Sequence, residues 1–259
     1  MSKLSASDKF YDLSDYGRPP AVWIANRLKN TKVTPIHVTF AFGIIGLIAV
    51  YCILIEQFVV AGFLLILKSI IDAVDGELAR IKKTPSHSGR YLDSVFDNIL
   101  NMLIFFAIYH ITKGSPSLTI LAYVGLQLQG TLYNYYYVIL RNNSIGGDST
   151  SRIFEYKIPR ALPGESQKSV SILYMIYTSL YGAYDRIIYT LDGSAARGVK
   201  FPKWFMTCLS VYGLGFQLLI MVMMFNFNLT EYIVPFFIAF TGFVPIFIII
   251  RKIFLPHSK

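Results

Sequence analysis

Long apolar stretches constrain the fold of this chain more than any other feature of its sequence. A helix needs about 20 apolar residues to cross the hydrocarbon core of a bilayer. Stretches that meet this length lie near residues 36–56, 58–80, 90–112, 117–140, 203–226 and 231–255. Of the 259 residues, 54% are hydrophobic and only 15% are charged, which lies outside the range of an ordinary soluble domain. The sequence therefore predicts an all-α integral membrane protein with six transmembrane helices.

A further apolar stretch near 168–191 is harder to assign, because it contains Asp185, Arg186 and five tyrosines. Lys and Arg concentrate in the cytoplasmic segments of membrane proteins. With six spans and a cytoplasmic N-terminus, the outside connections contain little more than Lys113. A seventh span would move four basic residues outside, namely Arg197, Lys200, Arg251 and Lys252. We therefore expect 168–191 to form an interfacial or re-entrant helix on the cytoplasmic side.

The remaining segments suggest a simple domain organisation. Residues 1–35 are polar, without a signal peptide, and form a cytoplasmic N-terminal segment. Within it, residues 20–29 predict a short amphipathic juxtamembrane helix, which lies in the headgroup plane or packs against the bundle. Residues 36–255 form one membrane domain with a cytoplasmic insertion at 141–202. The net charge of +9 indicates contact with anionic lipids rather than nucleic acid.

Four aspartates interrupt the apolar pattern: Asp72 and Asp75 in one predicted span, Asp93 and Asp97 in the next. An ionisable group inside a membrane is costly and usually functional. At 100° per residue, each pair occupies one face of its helix. If the chain folds back between the two helices, Asp72 lies level with Asp97, and Asp75 lies near the level of Asp93. The spacing predicts a four-carboxylate pocket one or two turns below the cytoplasmic surface.

Such a pocket needs compensating positive charge, because several carboxylates that share a site repel one another. All-oxygen ligation suits hard divalent ions such as magnesium, manganese or calcium, and two ions would balance four aspartates. Arg80, on the same face, suits phosphate oxygens. Gly76, Ala79 and Gly89 leave room for a group that approaches the backbone, although close helix packing is an alternative use for such small residues.

These residues together resemble the signature of a known family, the CDP-alcohol phosphotransferases, which are membrane enzymes of phospholipid synthesis. The eight matching positions at fixed gaps are Asp72, Asp75, Gly76, Ala79, Arg80, Gly89, Asp93 and Asp97. One departure lies before the first span: family members often carry Thr-Pro-Asn there, whereas this chain has Ile36 after Thr34 and Pro35.

The resemblance implies transfer of a substituted phosphate from a CDP-alcohol to an acceptor hydroxyl, with release of CMP. It also implies two Mg²⁺ or Mn²⁺ ions and a homodimer. Asp72, Asp75, Asp93 and Asp97 would bind the ions, and Asp97 would also be the general base. The CDP group would lie against Asp72, Asp75, Gly76, Ala79, Arg80, Gly89 and Asp93.

The sequence leaves the substrates open. The compact size of the chain favours CDP-diacylglycerol with a water-soluble acceptor over CDP-choline or CDP-ethanolamine with a lipid hydroxyl. Arg141, Arg152 and Arg160 are candidates for binding an anionic acceptor, or they form a solvated loop that touches anionic lipid. A non-enzymatic carrier of divalent cations is the alternative of another class. A carrier should distribute acidic groups along a route through the bilayer, whereas here they cluster at one end.

Overall fold

The computed structural model describes residue 4 and residues 7–143, 152–197 and 200–255, and this part of the chain is helical without strands. Parts of the predicted insertion, 144–151 and 198–199, therefore lie outside the described residues. The α-helices are α1 (Arg18–Leu28), α2 (Pro35–Leu54), α3 (Phe58–Lys82), α4 (His87–Thr112), α5 (Pro116–Asn143), α6 (Gln167–Asp192), α7 (Lys203–Leu209), α8 (Leu214–Asn226), α9 (Ile233–Thr241) and α10 (Phe243–Phe254).

Helices α2 to α5 correspond to the first four predicted spans, the fifth is bent between α7 and α8, and α9 and α10 together correspond to the sixth. Helices α7 and α8 meet at 52° after a 3₁₀ turn at Ser210–Tyr212, and α9 and α10 meet at Gly242. By length and composition, α2, α4 and Thr230–Phe254 can cross a membrane, and the bent α7–α8 pair is a fourth span if it counts as one. Charged residues in α3 and amide and tyrosine side chains in α5 make those helices more polar. The all-α prediction is confirmed, and the number of six spans stays a prediction.

Helix α6 forms the segment that we predict to be interfacial or re-entrant. It is a continuous helix of 26 residues, about 39 Å long at 1.5 Å per residue. It packs against α4 and α5, and the Tyr181 hydroxyl donates to the Ser94 carbonyl at 2.9 Å. Ile172, Met175 and Ile176 on its outer side are exposed. The helix is therefore part of the bundle, and its placement relative to the bilayer stays a prediction.

Helix α2 holds the two acidic helices together, because it packs against both α3 and α4. Two glycines make its approach to α4 close. A Cβ atom on Gly43 would lie 2.9 Å from the Phe96 ring, and one on Gly46 would lie 2.5 Å from a Leu100 methyl carbon. Small residues promote this kind of helix contact in membranes.

Helix α1 packs on α3 through one face and leaves the other exposed. Ala21 and Ala25 are fully buried, in a cluster that includes Val74 and Leu78 of α3. The Trp23 side chain is 63% exposed on the opposite face. Packing against the bundle is therefore observed, and the outer face keeps the aromatic side chain that suits a headgroup layer.

The segment that precedes α1, residues 7–17, is inserted between bundle helices, and we call it the N-terminal strap. The Leu13 N–H donates to Ser210 Oγ at 2.9 Å, and Tyr133 Oη donates to Asp12 Oδ2 at 2.5 Å. A Cβ on Gly215 would lie 2.0 Å from the Ser14 carbonyl oxygen. The strap can therefore pass this close to the start of α8 because Gly215 has no side chain.

A buried ion pair fixes the C-terminal helix. Asp192, at the end of α6, is 1% exposed, and Arg251 of α10 is 2% exposed. Asp192 Oδ2 accepts from Arg251 Nε at 2.6 Å and from Tyr136 Oη of α5 at 2.5 Å, and Arg251 Nη2 donates to Ser194 Oγ at 2.7 Å. Arg251 therefore joins three helices and is not a solvated cytoplasmic charge.

Candidate active site

Three of the four signature aspartates converge between α3 and α4. Carboxylate oxygens of Asp72, Asp75 and Asp93 all lie within 4.8 Å of one another, and the three residues are half-buried. We call these residues the aspartate triad. The three-residue spacing on α3 places Asp72 and Asp75 on one face, as helical periodicity predicts. Asp97 lies one turn further along α4 and makes a different contact.

A hydroxyl from α2 supports the triad. Thr39 is 1% exposed, and its Oγ1 donates to Asp75 Oδ2 at 2.7 Å. The start of α2 places this side chain: Thr34 Oγ1 accepts from the His37 N–H at 3.4 Å, and His37 Nδ1 accepts from the Thr34 N–H at 3.2 Å. This reciprocal capping exists although the family's usual Asn is replaced by Ile36.

Asp97 forms an ion pair with a lysine. Lys68 Nζ bonds Asp97 Oδ1, and the lysine is 2% exposed. The same ammonium group lies 5.1 Å from the centre of the Phe42 ring, a cation–π geometry. Lys68 is four residues before Asp72 and therefore shares the acidic face of α3.

Arg80 is held over the backbone of α3 near the C-terminal end of the same face. Its Nη1 lies 3.5 Å from the position that a Cβ on Gly76 would take. Its Nη2 pairs with Glu77 Oε1 at 2.7 Å, and Arg18 Nη1 contacts the same oxygen at 2.9 Å. Arg80 Nε is buried without a hydrogen-bond partner among the described residues. The guanidinium thus keeps a donor available, next to half-buried Ala79.

Gly89 lies at the start of α4, within a helix cap. The Ser86 Oγ accepts from the Gly89 N–H at 2.7 Å, and a Cβ on Gly89 would lie 3.1 Å from that oxygen. Glu165 closes the cap, since its Oε1 accepts from Ser86 Oγ at 2.8 Å and from the Ser88 N–H at 2.6 Å. Partial burial raises the pKa of Glu165, but these hydrogen bonds outweigh it and lower the pKa to about 2.

The three basic candidates for acceptor binding lie in different surroundings. Arg141, in the last turn of α5, is half-buried and is repelled electrostatically by the positive charge of Arg80, and no carboxylate in the described residues pairs with it. Arg152 is exposed, and its Nη1 donates to the Lys157 carbonyl at 3.3 Å. Arg160 is exposed as well. Of the three candidates, Arg141 is the one with an observed electrostatic interaction with a signature residue in the described part of the chain.

The triad is suited to a divalent cation. It offers three carboxylates, the donor type that Mg²⁺ and Mn²⁺ prefer. Asp93 Oδ1 is buried and has no hydrogen-bond partner within the described ranges. Such an oxygen is costly unless a ligand satisfies it. The donor set and this unpaired atom both fit a metal ion, and neither identifies the element.

Several residues that contact the site are not part of the sequence motif of aspartates and glycines. Lys68 could be found from its four-residue spacing to Asp72, and Thr39 from its place on the first span. Arg18 of the N-terminal region could not be found. Arg18 reaches Glu77, which is 59 positions away in sequence, and no local pattern encodes that contact.

Comparison of the sequence with known proteins identifies relatives and a family. Over 148 residues, the chain is 29% identical to the bifunctional IPC transferase and DIPP synthase of Thermococcus kodakarensis, which corresponds to 56% of this chain and 33% of that protein. Over 91 residues, it is 32% identical to the archaetidylinositol phosphate synthase of Pyrococcus horikoshii, which corresponds to 35% of this chain and 48% of that protein. The chain thus matches less than half of the length of each relative. Residues 32–188, more than half of the chain and inclusive of all four aspartates, match the model of the CDP-alcohol phosphatidyltransferases, and the chain belongs to that family.

Proposed function

We propose that the protein transfers a substituted phosphate group from a CDP-alcohol to the hydroxyl of a second alcohol, in phospholipid biosynthesis. The acceptor oxygen forms a bond to the phosphorus that carries the alcohol of the donor. The bond between that phosphorus and the bridging oxygen breaks, and CMP leaves with the electron pair. The observation that carries this proposal is the aspartate triad, inside a segment that matches the family.

In this reaction the triad would hold Mg²⁺ or Mn²⁺, with Asp97 as a further ligand for a second ion. Bound divalent ions supply neutralisation of the diphosphate charge and stabilisation of the attacking and leaving oxygens. The CDP group would lie along α3 against Gly76 and Ala79, with Gly89 opposite. Arg80, which has a buried Nε without a partner, would donate to a phosphate oxygen.

Asp97 would act as the general base. The proton of the acceptor hydroxyl moves to the free oxygen of the Asp97 carboxylate as the new oxygen–phosphorus bond forms. Lys68 pairs with the other oxygen and favours the ionised carboxylate that a base requires. Thr39, which donates to Asp75, would not touch the metal ion itself but would orient the Asp75 carboxylate that binds it.

For the substrates, we propose a CDP-linked lipid donor and a phosphorylated polyol acceptor. The relative from Pyrococcus is named for an inositol phosphate lipid product. In this chain, Arg80 and Arg141 repel each other electrostatically, and two such guanidinium groups would suit an additional phosphate on the acceptor. Arg152 and Arg160 are exposed and better suited to contact with anionic lipid headgroups.

The apolar helices and the family make this an integral membrane protein. We further propose that the site opens on the cytoplasmic side. Arg80, Lys82 and Lys83 follow the triad at the end of α3, and basic residues of this kind concentrate on that side. The homodimer stays an expectation from the family resemblance.

The proposal is tested by CMP release from the purified protein in lipid nanodiscs. CDP-diacylglycerol is combined in turn with inositol phosphate, glycerol phosphate, inositol and serine, with Mg²⁺, with Mn²⁺ and with EDTA. We expect metal-dependent release that is fastest with a phosphorylated acceptor. CDP-choline and CDP-ethanolamine with diacylglycerol test the reverse arrangement.

Asp97→Asn tests the base, and Glu231→Gln, an exposed carboxylate on a distant turn, is the matched control. We expect Asp97→Asn to lower kcat at least 100-fold, in line with the usual contribution of a general base of about 10²–10⁴. Full activity of this variant would refute the base assignment, and absence of release from all donor and acceptor pairs would refute the reaction.

A further inference from the structure

Lys68 is the one basic side chain of the described residues that forms an ion pair with any of the four signature aspartates. The family signature does not include this position. The side chain is 2% exposed and lies between Asp97 and the fully buried Phe42 ring. A buried ammonium group in a membrane helix is costly, and electrostatic attraction from Asp97, Asp72 and Asp93 compensates its desolvation. Lys68 therefore belongs to the acidic pocket and not to the lipid face.

The contacts divide the four carboxylates into two groups. Asp72, Asp75 and Asp93 have oxygens within 4.8 Å of one another, whereas Asp97 accepts its hydrogen bond within the described residues from Lys68. Four ionised carboxylates and one ammonium group would carry a net charge of −3, and one divalent ion would reduce it to −1. A second ion would make the pocket positive until a diphosphate enters.

We propose that Lys68 is a positioning residue that holds Asp97 apart from the aspartate triad, so that the pocket binds one divalent ion before the donor arrives and a second ion only together with the donor diphosphate. This inference rests on the proposed function for the role of the donor. Lys68 engages Oδ1 of Asp97 and leaves the other carboxylate oxygen to face the acceptor hydroxyl. It acts through Asp97 and needs no contact with either substrate.

The test measures Mn²⁺ binding to the donor-free protein in detergent, by electron paramagnetic resonance of the free ion and by calorimetry. Wild type is expected to bind one Mn²⁺ tightly. Lys68→Met keeps the length of the side chain and removes the charge, so Asp97 can join the triad. We expect the affinity for a second Mn²⁺ to increase at least tenfold. The double variant Lys68→Met/Asp97→Asn restores the wild-type net charge and should bind the second ion as weakly as wild type.

Lys68→Arg keeps the positive charge and should keep binding of one ion. Unchanged second-ion affinity in Lys68→Met would overturn the proposal, as would tight second-ion binding in the double variant. If Lys68→Met does not yield a monodisperse protein, Lys68→Gln replaces it with the same expectation. In turnover, Lys68→Met should lower kcat while KM for the donor changes less than threefold.

The two proposals fail in distinguishable ways. Metal binding to donor-free protein requires no turnover, so it reports on Lys68 even if the substrates are wrong. Conversely, CMP release by a protein with unaltered Mn²⁺ binding in Lys68→Met would leave the reaction intact and remove the role of Lys68.

Discussion

The hydrogen bond from Thr39 to Asp75 permits a quantitative prediction for the site. Thr39→Val removes the hydroxyl and keeps the size and branching of the side chain. The lost bond is 2.7 Å long, its acceptor is a carboxylate, and Thr39 is 1% exposed, so water cannot easily replace the donor. A hydrogen bond to a charged group contributes about 1.5–3 kcal/mol, and each 1.36 kcal/mol corresponds to a factor of 10. We therefore expect a loss of about 10–150-fold, which overlaps the range of about 10–100-fold for outer contacts to metal ligands.

The loss should appear in two measurements. The first is the Mn²⁺ affinity of donor-free protein, and the second is kcat/KM for CMP release at saturating metal. Thr39→Ser keeps the hydroxyl and is the matched control, which should stay within about threefold of wild type because only a methyl group is lost. The reasoning is refuted if Thr39→Val binds Mn²⁺ as tightly as wild type, or if Thr39→Ser loses as much as Thr39→Val.

Three further predictions concern other parts of the molecule. Arg141→Gln should raise KM for a phosphorylated acceptor at least tenfold with little change for the donor, whereas exposed Arg160→Gln should change neither; equal effects of the two substitutions in steady-state kinetics would contradict the acceptor assignment. Arg251→Met leaves Asp192 buried without its cation and should destabilise the protein by about 3–5 kcal/mol, measured as thermal stability in detergent; a shift as small as that of a surface variant would contradict the structural role. Gly215→Ala places a Cβ 2.0 Å from the Ser14 carbonyl oxygen and should cost about 1–3 kcal/mol and expose the strap to protease. Gly182→Ala, with no atom within 4 Å of the new Cβ, should be neutral or stabilising, and equal destabilisation by both would rule out the steric explanation.

The helices and the acidic faces could be predicted from the sequence, because both depend on local spacing. Asp72 and Asp75 share a face by periodicity alone. A short turn that contains Lys83 in a left-handed conformation, with φ of 54°, then returns the chain toward Asp93. Boundaries of α2 to α5 agree with the apolar stretches within a few residues. These features need no knowledge of distant contacts.

The breaks and pairings could not be predicted, because distant segments determine them. The stretch 203–226 is mostly apolar and predicts one helix. It is broken where the N-terminal strap contacts Gly213 and Gly215 through Ser14, and that contact joins residues about 200 positions apart. Similarly, charge alone does not indicate which aspartate pairs with Lys68. The pairing depends on the directions in which the side chains point where α3 packs against α4.

Asp192 and Asp93 show how a fully paired acidic side chain differs from one with an unpaired oxygen. Asp192 is more buried than any triad member, and both its oxygens are satisfied, by Arg251, Tyr136 and Ser194. Such a residue has no capacity left for a ligand. Asp93 also has a buried oxygen, but that oxygen has no protein partner in the described part of the chain. A buried unsatisfied group costs about 1–3 kcal/mol or more when charged, and a cation bound at the triad would recover that cost. The sequence alone does not distinguish Asp93 from Asp192, because each is an Asp within a long helical segment.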